Sequence, residues 1–200
     1  GRIEKDSAFD GTVTEYDYNG LETTVTLIKG SSTQTQRTLK NAQGETIESE
    51  DNLGNIVYTV YNPDGTVKET YTSINTSDKT TFTYDAQGNR TSISDPDAGT
   101  ITTLYDAYGQ LVLQVDAKND STCFQYDDLG RLVQSEDERG TITYTYCSDT
   151  TKADFGKLHA MENNDQSITE EYTYDENTGL LLTVTKETDS KEFTYTFQYD

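Results

Sequence analysis

Residues Phe124–Cys147 read F-Q-Y-D-D-L-G-R-L-V-Q-S-E-D-E-R-G-T-I-T-Y-T-Y-C. The pattern predicts a strand that ends at Tyr126, followed by a tight turn that Gly130 closes. A second strand then leads to another turn, closed by Gly140, and a returning strand ends at Tyr146. Nearly all of the remaining sequence is a variation on this unit of strands and turns.

Glycine recurs at a nearly constant spacing. The glycines of the predicted turns are Gly44, Gly54, Gly65, Gly88, Gly99, Gly109, Gly130 and Gly140. Successive intervals are 10, 11, 23, 11, 10, 21 and 10 residues. The two long intervals are doubled steps in which one turn lacks its glycine, near residues 75–77 and 119–120. A fixed period of this kind indicates a repeat architecture, in which one supersecondary unit follows another.

The motif D-x-x-G explains why the period marks turns. Aspartate suits the first position of a type I turn because its carboxylate accepts the backbone N–H two residues on, and glycine at the fourth position tolerates a positive φ. Such a turn joins the two strands of a hairpin and is followed by a bulge. The predicted structural turn residues are Tyr84, Asp85, Gly88, Tyr105, Asp106, Gly109, Tyr126, Asp127, Gly130 and Gly140.

Between the turns, residue types alternate with a period of two, which predicts strands. Ile142, Tyr144 and Tyr146 are expected to face one side and the intervening threonines the other, and residues 193–199 repeat this pattern. The stretch Ser31–Thr38 is interpreted as a longer loop. No stretch has convincing helical spacing. The predicted fold class is all-β: a repetitive antiparallel β-meander of hairpins that forms a twisted, curved and elongated sheet with one apolar face.

The chain is predicted to form a single β domain over residues 1–200. Residues 1–39 are interpreted as irregular first units and residues 40–146 as regular repeats. Residues 147–200 continue the repeats after an insertion at residues 147–154. No linker rich in proline or glycine interrupts the pattern, which favours one continuous domain.

Composition argues against two classes of partner. The chain has 15 Lys and Arg against 36 Asp and Glu, which gives a formal net charge of −21. An acidic surface of this kind repels phosphate backbones and anionic lipids, and nucleic-acid binding also requires a basic stripe that the sequence lacks. No apolar run approaches the length of a membrane span. Neither nucleic-acid binding nor membrane insertion is therefore expected.

Residues with the chemistry of catalysis or metal binding are few. Cys123 and Cys147 are too few for a disulfide scaffold or a zinc site. Their strands are expected to lie two spacings apart, roughly 9–10 Å, whereas a disulfide needs Cα atoms within about 7 Å, so two free thiols are expected. His159, the only histidine, is interpreted as a strand surface residue, and Asp154–Gly156 as a turn. No catalytic residue, metal ligand or cofactor is predicted.

Neighbouring carboxylates such as Glu136, Asp137 and Glu138 have the chemistry of a glycosidase pair or of a calcium site. The repeat supplies a simpler reason for them, since aspartate is needed in every turn, and no loop has the spacing of a dedicated calcium site. Tyrosines can stack on sugar rings, although most of them share a face with Ile, Leu and Val. Tyr18 and Tyr108, predicted to lie inside turns, are the candidate ligand-contact aromatics.

The sequence Tyr-Asp-x-x-Gly-Arg-Leu at residues 126–132, with weaker copies at 84–90 and 105–111, resembles the RHS or YD repeat. The similarity covers roughly residues 40–200. This family includes bacterial polymorphic toxins, wall-associated surface proteins, insecticidal toxin-complex components and animal teneurins. The resemblance implies a long β-strand ribbon that spirals into a hollow shell, often around a toxic or otherwise enclosed segment.

These observations predict a non-catalytic structural segment of a large secreted or cell-surface protein, acting as a β-scaffold or an encapsulating shell. The implied partners are other repeats of the same parent chain and an enclosed C-terminal toxin. The alternative is a carbohydrate- or host-surface-binding module, calcium-dependent or not, with a surface glycan as its partner. The implied location is extracellular or at the bacterial cell surface, as a fragment of a larger exported protein.

Overall fold

The computed structural model describes residues 2–163 and 165–199, which form β-strands joined by turns. The chain divides into two compact units, Gly1–Thr100 and Ile101–Asp200. Within each unit, consecutive strands pair antiparallel. No helix long and apolar enough to span a membrane occurs in the described residues. The all-β antiparallel meander predicted from the sequence is confirmed.

The described part of the first unit contains nine strands. They are β1 (Lys5–Ser7), β2 (Val13–Asn19), β3 (Glu22–Lys29), β4 (Ser32–Lys40), β5 (Thr46–Glu50), β6 (Ile56–Tyr61), β7 (Val67–Thr72), β8 (Thr80–Tyr84) and β9 (Arg90–Asp95). Each strand pairs with the strands that precede and follow it in the unit. Sequence neighbours are therefore also sheet neighbours.

One sequence-based interpretation in this unit is wrong. The stretch Ser31–Thr38, expected to be a loop, lies almost entirely in β4, which pairs with β3 from Glu22↔Leu39 to Lys29↔Ser32. Gly30, with a φ of 59°, closes the turn between the two strands. The threonines of this stretch have high β-propensity, and pairing along the full length of β3 outweighs the low hydrophobicity that suggested a loop.

Nine further strands follow in the described residues; β10 begins at Gly99, just before the second unit, and the others lie within that unit. They are β10 (Gly99–Tyr105), β11 (Leu111–Val115), β12 (Ser121–Tyr126), β13 (Leu132–Asp137), β14 (Gly140–Tyr146), β15 (Leu158–Asn163), β16 (Ile168–Tyr174), β17 (Leu181–Thr188) and β18 (Lys191–Thr196). The connection between β14 and β15 is longer than the turns on either side of it. It contains the insertion that the sequence placed at residues 147–154.

The hairpins that carry the Tyr-Asp motif share a bulge. Between β12 and β13, Gln125 pairs with Gln134, but the next residue, Tyr126, pairs with Leu132. The same register shift occurs at other motif tyrosines: Tyr61, Tyr84, Tyr105, Tyr146 and Tyr174. A type I turn followed by a residue with positive φ introduces a bulge of this kind. The bulge thus shifts by one residue the position on the following strand that lies opposite each tyrosine.

Side chains in these sheets are only partly covered. In β12, Thr122, Phe124 and Tyr126 are half-buried and the residues between them are exposed. No described side chain is fully buried, and the apolar face of β18 is open, with Phe193 50% and Tyr195 63% exposed. The apolar face expected from the alternation is therefore present, but its side chains remain partly exposed.

Candidate functional site

The structure places the motif aspartates at the first position of tight turns. The Asp85 carboxylate accepts the backbone N–H groups of Gln87 and Asn89, both at 2.9 Å. The N–H of Gly88 donates to the Asp85 carbonyl at 3.1 Å, and Gly88 has a φ of 87°. These bonds fold the chain back within five residues, as a type I turn with a following bulge requires.

The turns at Asp106 and Asp127 have the same bonds. Each carboxylate accepts the N–H groups two and four residues on, at 2.8–3.0 Å. Gly109 and Gly130 have φ values of 80° and 77°. Gly140 closes the turn that begins at Asp137, with a φ of 129°.

Hydrogen bonds favour the charged form of two motif carboxylates, those of Asp85 and Asp127. The Asn89 side chain, together with the turn N–H groups, lowers the pKa of the Asp85 carboxyl. The Arg131 side chain acts in the same way on the pKa of Asp127. Because these oxygens already bind donors of their own turn, the arrangement gives them a structural use, and it leaves fewer lone pairs for a calcium ion.

At four motif positions, the tyrosine connects its hairpin to an earlier residue. The Tyr126 hydroxyl donates to the Leu111 carbonyl at 3.0 Å, and equivalent bonds of 2.8–2.9 Å join Tyr61 to Thr46, Tyr146 to Leu132 and Tyr174 to Leu158. We call Tyr61, Tyr126, Tyr146 and Tyr174 the latch tyrosines. Burial raises the pKa of Tyr126, Tyr146 and Tyr174 further above neutral pH, where their hydroxyls are protonated donors in any case. Tyr84 and Tyr105 end β8 and β10 at the same motif position.

Of the two candidate ligand-contact aromatics, one is placed differently from expectation. Tyr18 was predicted inside a turn but lies in β2, because that strand runs on to Asn19 before the chain turns. Its hydroxyl donates to the Ile3 carbonyl at 3.0 Å, and its ring stacks on Tyr16 with centroids 6.4 Å apart. Tyr108 lies in a turn and is 90% exposed.

The most buried side chains in the described part of the chain form a group that the sequence interpretation did not bring together. Cys147 is 6% exposed and Asp154 is 8% exposed. Asp154 Oδ2 lies 2.6 Å from His159 Nε2, and the Cys147 thiol donates to Asp154 Oδ1 at 3.6 Å. The hydrogen bond from His159 lowers the pKa of the Asp154 carboxyl and outweighs the opposing effect of burial.

His159 lies on a strand, as interpreted from the sequence, but it belongs to a group with Asp154 and Cys147 that the sequence did not suggest. It lies in β15 with its side chain 37% exposed, bonded to Asp154 and stacked on Tyr174 with ring centroids 5.7 Å apart. The long connection after β14 brings Asp154 back to this strand. Both cysteines are free thiols, as expected, with Cys123 exposed and Cys147 buried.

Cys147 occupies the position of the motif aspartate. In the standard turn, Asp127 N–H donates to the Arg131 carbonyl at 3.0 Å and Gly130 N–H to the Asp127 carbonyl at 2.9 Å. Cys147 makes the same two bonds, with Lys157 and Gly156, both at 2.9 Å. The connection is therefore a motif turn into which extra residues are inserted. The sequence signal was the pair Tyr146-Cys147, which has cysteine where the repeat has aspartate.

The equivalence extends to the residues that follow the turn. Arg131 lies over the ring of Tyr146 at 4.5 Å, and Lys157 lies over the ring of Tyr174 at 5.1 Å. Lys157 also donates to the carbonyl of Gly179. Gly179 is itself buried, and a Cβ there would collide with the backbone of Ala153. The insertion is thus packed against the turn between β16 and β17.

Comparison with known proteins agrees with this geometry. The RHS repeat family matches residues 41–100 and 105–142. The chain therefore belongs to the RHS-repeat family. A search of the curated proteins finds no match.

Solved structures show the same fold. The Photorhabdus luminescens Tc holotoxin pore, with a mutation in TccC3, is similar with a TM-score of 0.77 and 15% identity over 98% of this chain. The crystal structures named TcdB2-TccC3-Cdc42 and TcdB2-TccC3 give TM-scores of 0.78 and 0.77, again at 15% identity and 98% coverage. This chain spans 12% of the length of each of these relatives.

Proposed function

We propose that this chain is a non-catalytic segment of a larger exported bacterial protein, in which its hairpins form part of a shell around a C-terminal toxin. The fold likeness to TcdB2-TccC3 over 98% of the chain supports this role. The extracellular space or the cell surface is the proposed location, and the other repeats of the parent chain are the proposed partners.

The observation that carries the proposal is the repeated connection between hairpins. Each latch tyrosine ties a motif hairpin to a residue 14–16 positions earlier, and each motif aspartate is bonded within its own turn. A unit whose tyrosine hydroxyls and aspartate carboxylates bond within the repeat and to the preceding strand can be added repeatedly. Repeat proteins build extended structures in this way. The aromatic face remains partly open to a further contact.

Protease protection of the parent protein tests the shell. We expect the segment that follows the repeats to resist protease in the wild-type parent protein. A Gly130→Val variant, which strains one turn, should expose that segment at lower denaturant concentration. A Tyr108→Ser variant is the matched control, because Tyr108 is 90% exposed in a turn. Equal cleavage of the segment in the wild type and in the isolated segment would refute enclosure.

The exposed Tyr108 favours a second candidate function, the binding of a surface glycan with or without calcium. A flat, exposed aromatic ring is the feature that sugars stack on. Tyr18 adds little to this candidate, since its hydroxyl is bonded to Ile3. A glycan array probed with the wild type and with Tyr108→Ala distinguishes the two functions, because a scaffold gives no hit that the substitution removes.

A further inference from the structure

Cys147, Asp154 and His159 bring a thiol, a carboxylate and an imidazole to one point of the second unit. One potential ligand atom from each lies within 4.8 Å of the other two. We propose that these three residues bind one divalent transition-metal ion, and that Zn²⁺ is the ion their chemistry fits best. Zinc accepts sulfur, nitrogen and oxygen ligands, and sites with three protein ligands leave one position for water.

Burial and charge support this assignment. Most side chains in these sheets are half-exposed, whereas Cys147 and Asp154 are 6% and 8% exposed. A buried carboxylate is unfavourable unless it is paired, and the partners of Asp154 are a thiol and an imidazole, two side-chain types that commonly bind metal ions. A thiolate, a carboxylate and a neutral imidazole together carry two negative charges, so that a divalent ion makes the site electrically neutral.

The distances are close to those of a metal site. Metal–ligand bonds of about 2.0–2.3 Å place tetrahedral ligands roughly 3.3–3.8 Å apart. The Cys147 sulfur already lies 3.6 Å from Asp154 Oδ1. The His159 nitrogen, at 2.6 Å from Asp154 Oδ2, has to move away from the carboxylate by about 1 Å. Changes in side-chain torsion angles are sufficient for a movement of this size.

Two other uses of the same residues fit less well. In a cysteine nucleophile site, the imidazole bonds to the sulfur and a third group orients the imidazole. Here the carboxylate of Asp154 is bonded to both the sulfur and the imidazole, and the sulfur is buried. Calcium is a hard cation that takes oxygen ligands, and the thiol and the imidazole give it none.

The position of the group in the repeat indicates what the metal does. Cys147 occupies the position at which other turns have an aspartate, whose carboxylate accepts N–H groups of the same turn. Asp154 belongs to the insertion. A metal bound to Cys147, Asp154 and His159 connects the start of the turn, the inserted loop and β15. It therefore replaces the carboxylate as the element that holds the enlarged turn closed.

Titration with Co²⁺, a spectroscopic substitute for zinc, tests the site in the purified chain after treatment with a chelator. We expect one Co²⁺ per chain, with a sulfur-to-cobalt charge-transfer band, and displacement of that ion by Zn²⁺ but not by excess Mg²⁺. Cys147→Ser should abolish the band, and His159→Gln and Asp154→Asn should weaken binding at least about tenfold. Cys123→Ser is the matched control and should bind as the wild type does.

A measurement on the wild type guards against misfolded variants. Zn²⁺ should slow the labelling of one thiol by a thiol reagent at least about tenfold, while the other thiol, on exposed Cys123, keeps its rate. Mass spectrometry of the labelled peptides identifies which cysteine is protected. The proposal is overturned by equal labelling of Cys147 with and without Zn²⁺, or by a cobalt band that persists in Cys147→Ser.

Discussion

Asn119 shows, at the scale of a single residue, what the turns require. The sequence has no glycine there, yet the turn from Asp116 has the usual bonds, with Asp116 accepting the N–H groups of Lys118 and Asp120 at 2.8 and 3.0 Å. Asn119 adopts a φ of 70° in place of glycine. Asparagine is among the few residues that tolerate this region, so the doubled glycine interval conceals a turn of the same type.

The cost of replacing a turn glycine should depend on how well the new residue tolerates a positive φ. A Cβ on Gly88 would meet no atom within 4 Å, so Gly88→Val should lower the free energy of unfolding by about 1–2 kcal/mol through backbone strain alone. Gly88→Asn should cost less, and Asn119→Gly should raise stability slightly. Urea denaturation of the chain measures all three. Equal effects of valine and asparagine at Gly88 would contradict the assignment.

At the scale of the element, each latch tyrosine connects its hairpin to the preceding strand. The motif tyrosines could be located from their spacing in the sequence, because Tyr-Asp marks every second turn. Their hydrogen bonds could not, because the acceptor is a backbone carbonyl on the preceding strand, and the register between the two strands decides which carbonyl lies within reach. Spacing predicts which residues start a turn, but register decides what their side chains reach.

Removal of one latch hydroxyl should loosen the hairpins that it joins. Tyr126→Phe keeps the ring but removes the 3.0 Å bond to the Leu111 carbonyl, which should lower the free energy of unfolding by about 1 kcal/mol. Tyr108→Phe, at an exposed turn position, should have no measurable effect. Hydrogen exchange of the amides in β11 and β12 would localise the loss. Identical stabilities of the two variants would show that the bond contributes nothing.

The insertion after β14 marks the limit of sequence reasoning at this scale. Its location could be predicted because the repeat is interrupted there. The contact of Asp154 with Cys147 and His159 could not, because an inserted loop has no periodicity from which its path can be inferred. Comparing Tyr146-Cys147 with the Tyr-Asp pairs would have identified Cys147 as a turn residue, although not its partners.

For the whole molecule, the aspartates of the turns set the response to acid. The folded-state pKa values of Asp51, Asp85, Asp127 and Asp175 lie below the usual 3.8. Their contribution to stability is therefore complete above about pH 4 and is lost as pH falls through the folded pKa values. Neutralisation of the net charge of −21 acts in the opposite direction, because it relieves repulsion.

We expect the melting temperature to change little between pH 7 and 5 and to fall below about pH 4. The double variant Asp51→Asn/Asp85→Asn should lose less in acid, because an amide oxygen accepts the same N–H groups without titrating. Asn41 already does so with Gln43 and Glu45, both at 3.0 Å. Melting curves from pH 7 to 2.5 check this. Superimposable profiles of the wild type and the double variant would refute the role of these carboxylates.

The bonds of the latch tyrosines have a direction. Each acceptor carbonyl precedes its tyrosine by 14–16 residues, and the strand pairs described within each unit join sequence neighbours. The bond of each latch tyrosine can therefore form as soon as that tyrosine has been made, because its acceptor lies earlier in the chain. Contacts of such short range form quickly, so the repeats can fold in order from the N-terminal side while the remainder of the polypeptide is still being synthesised.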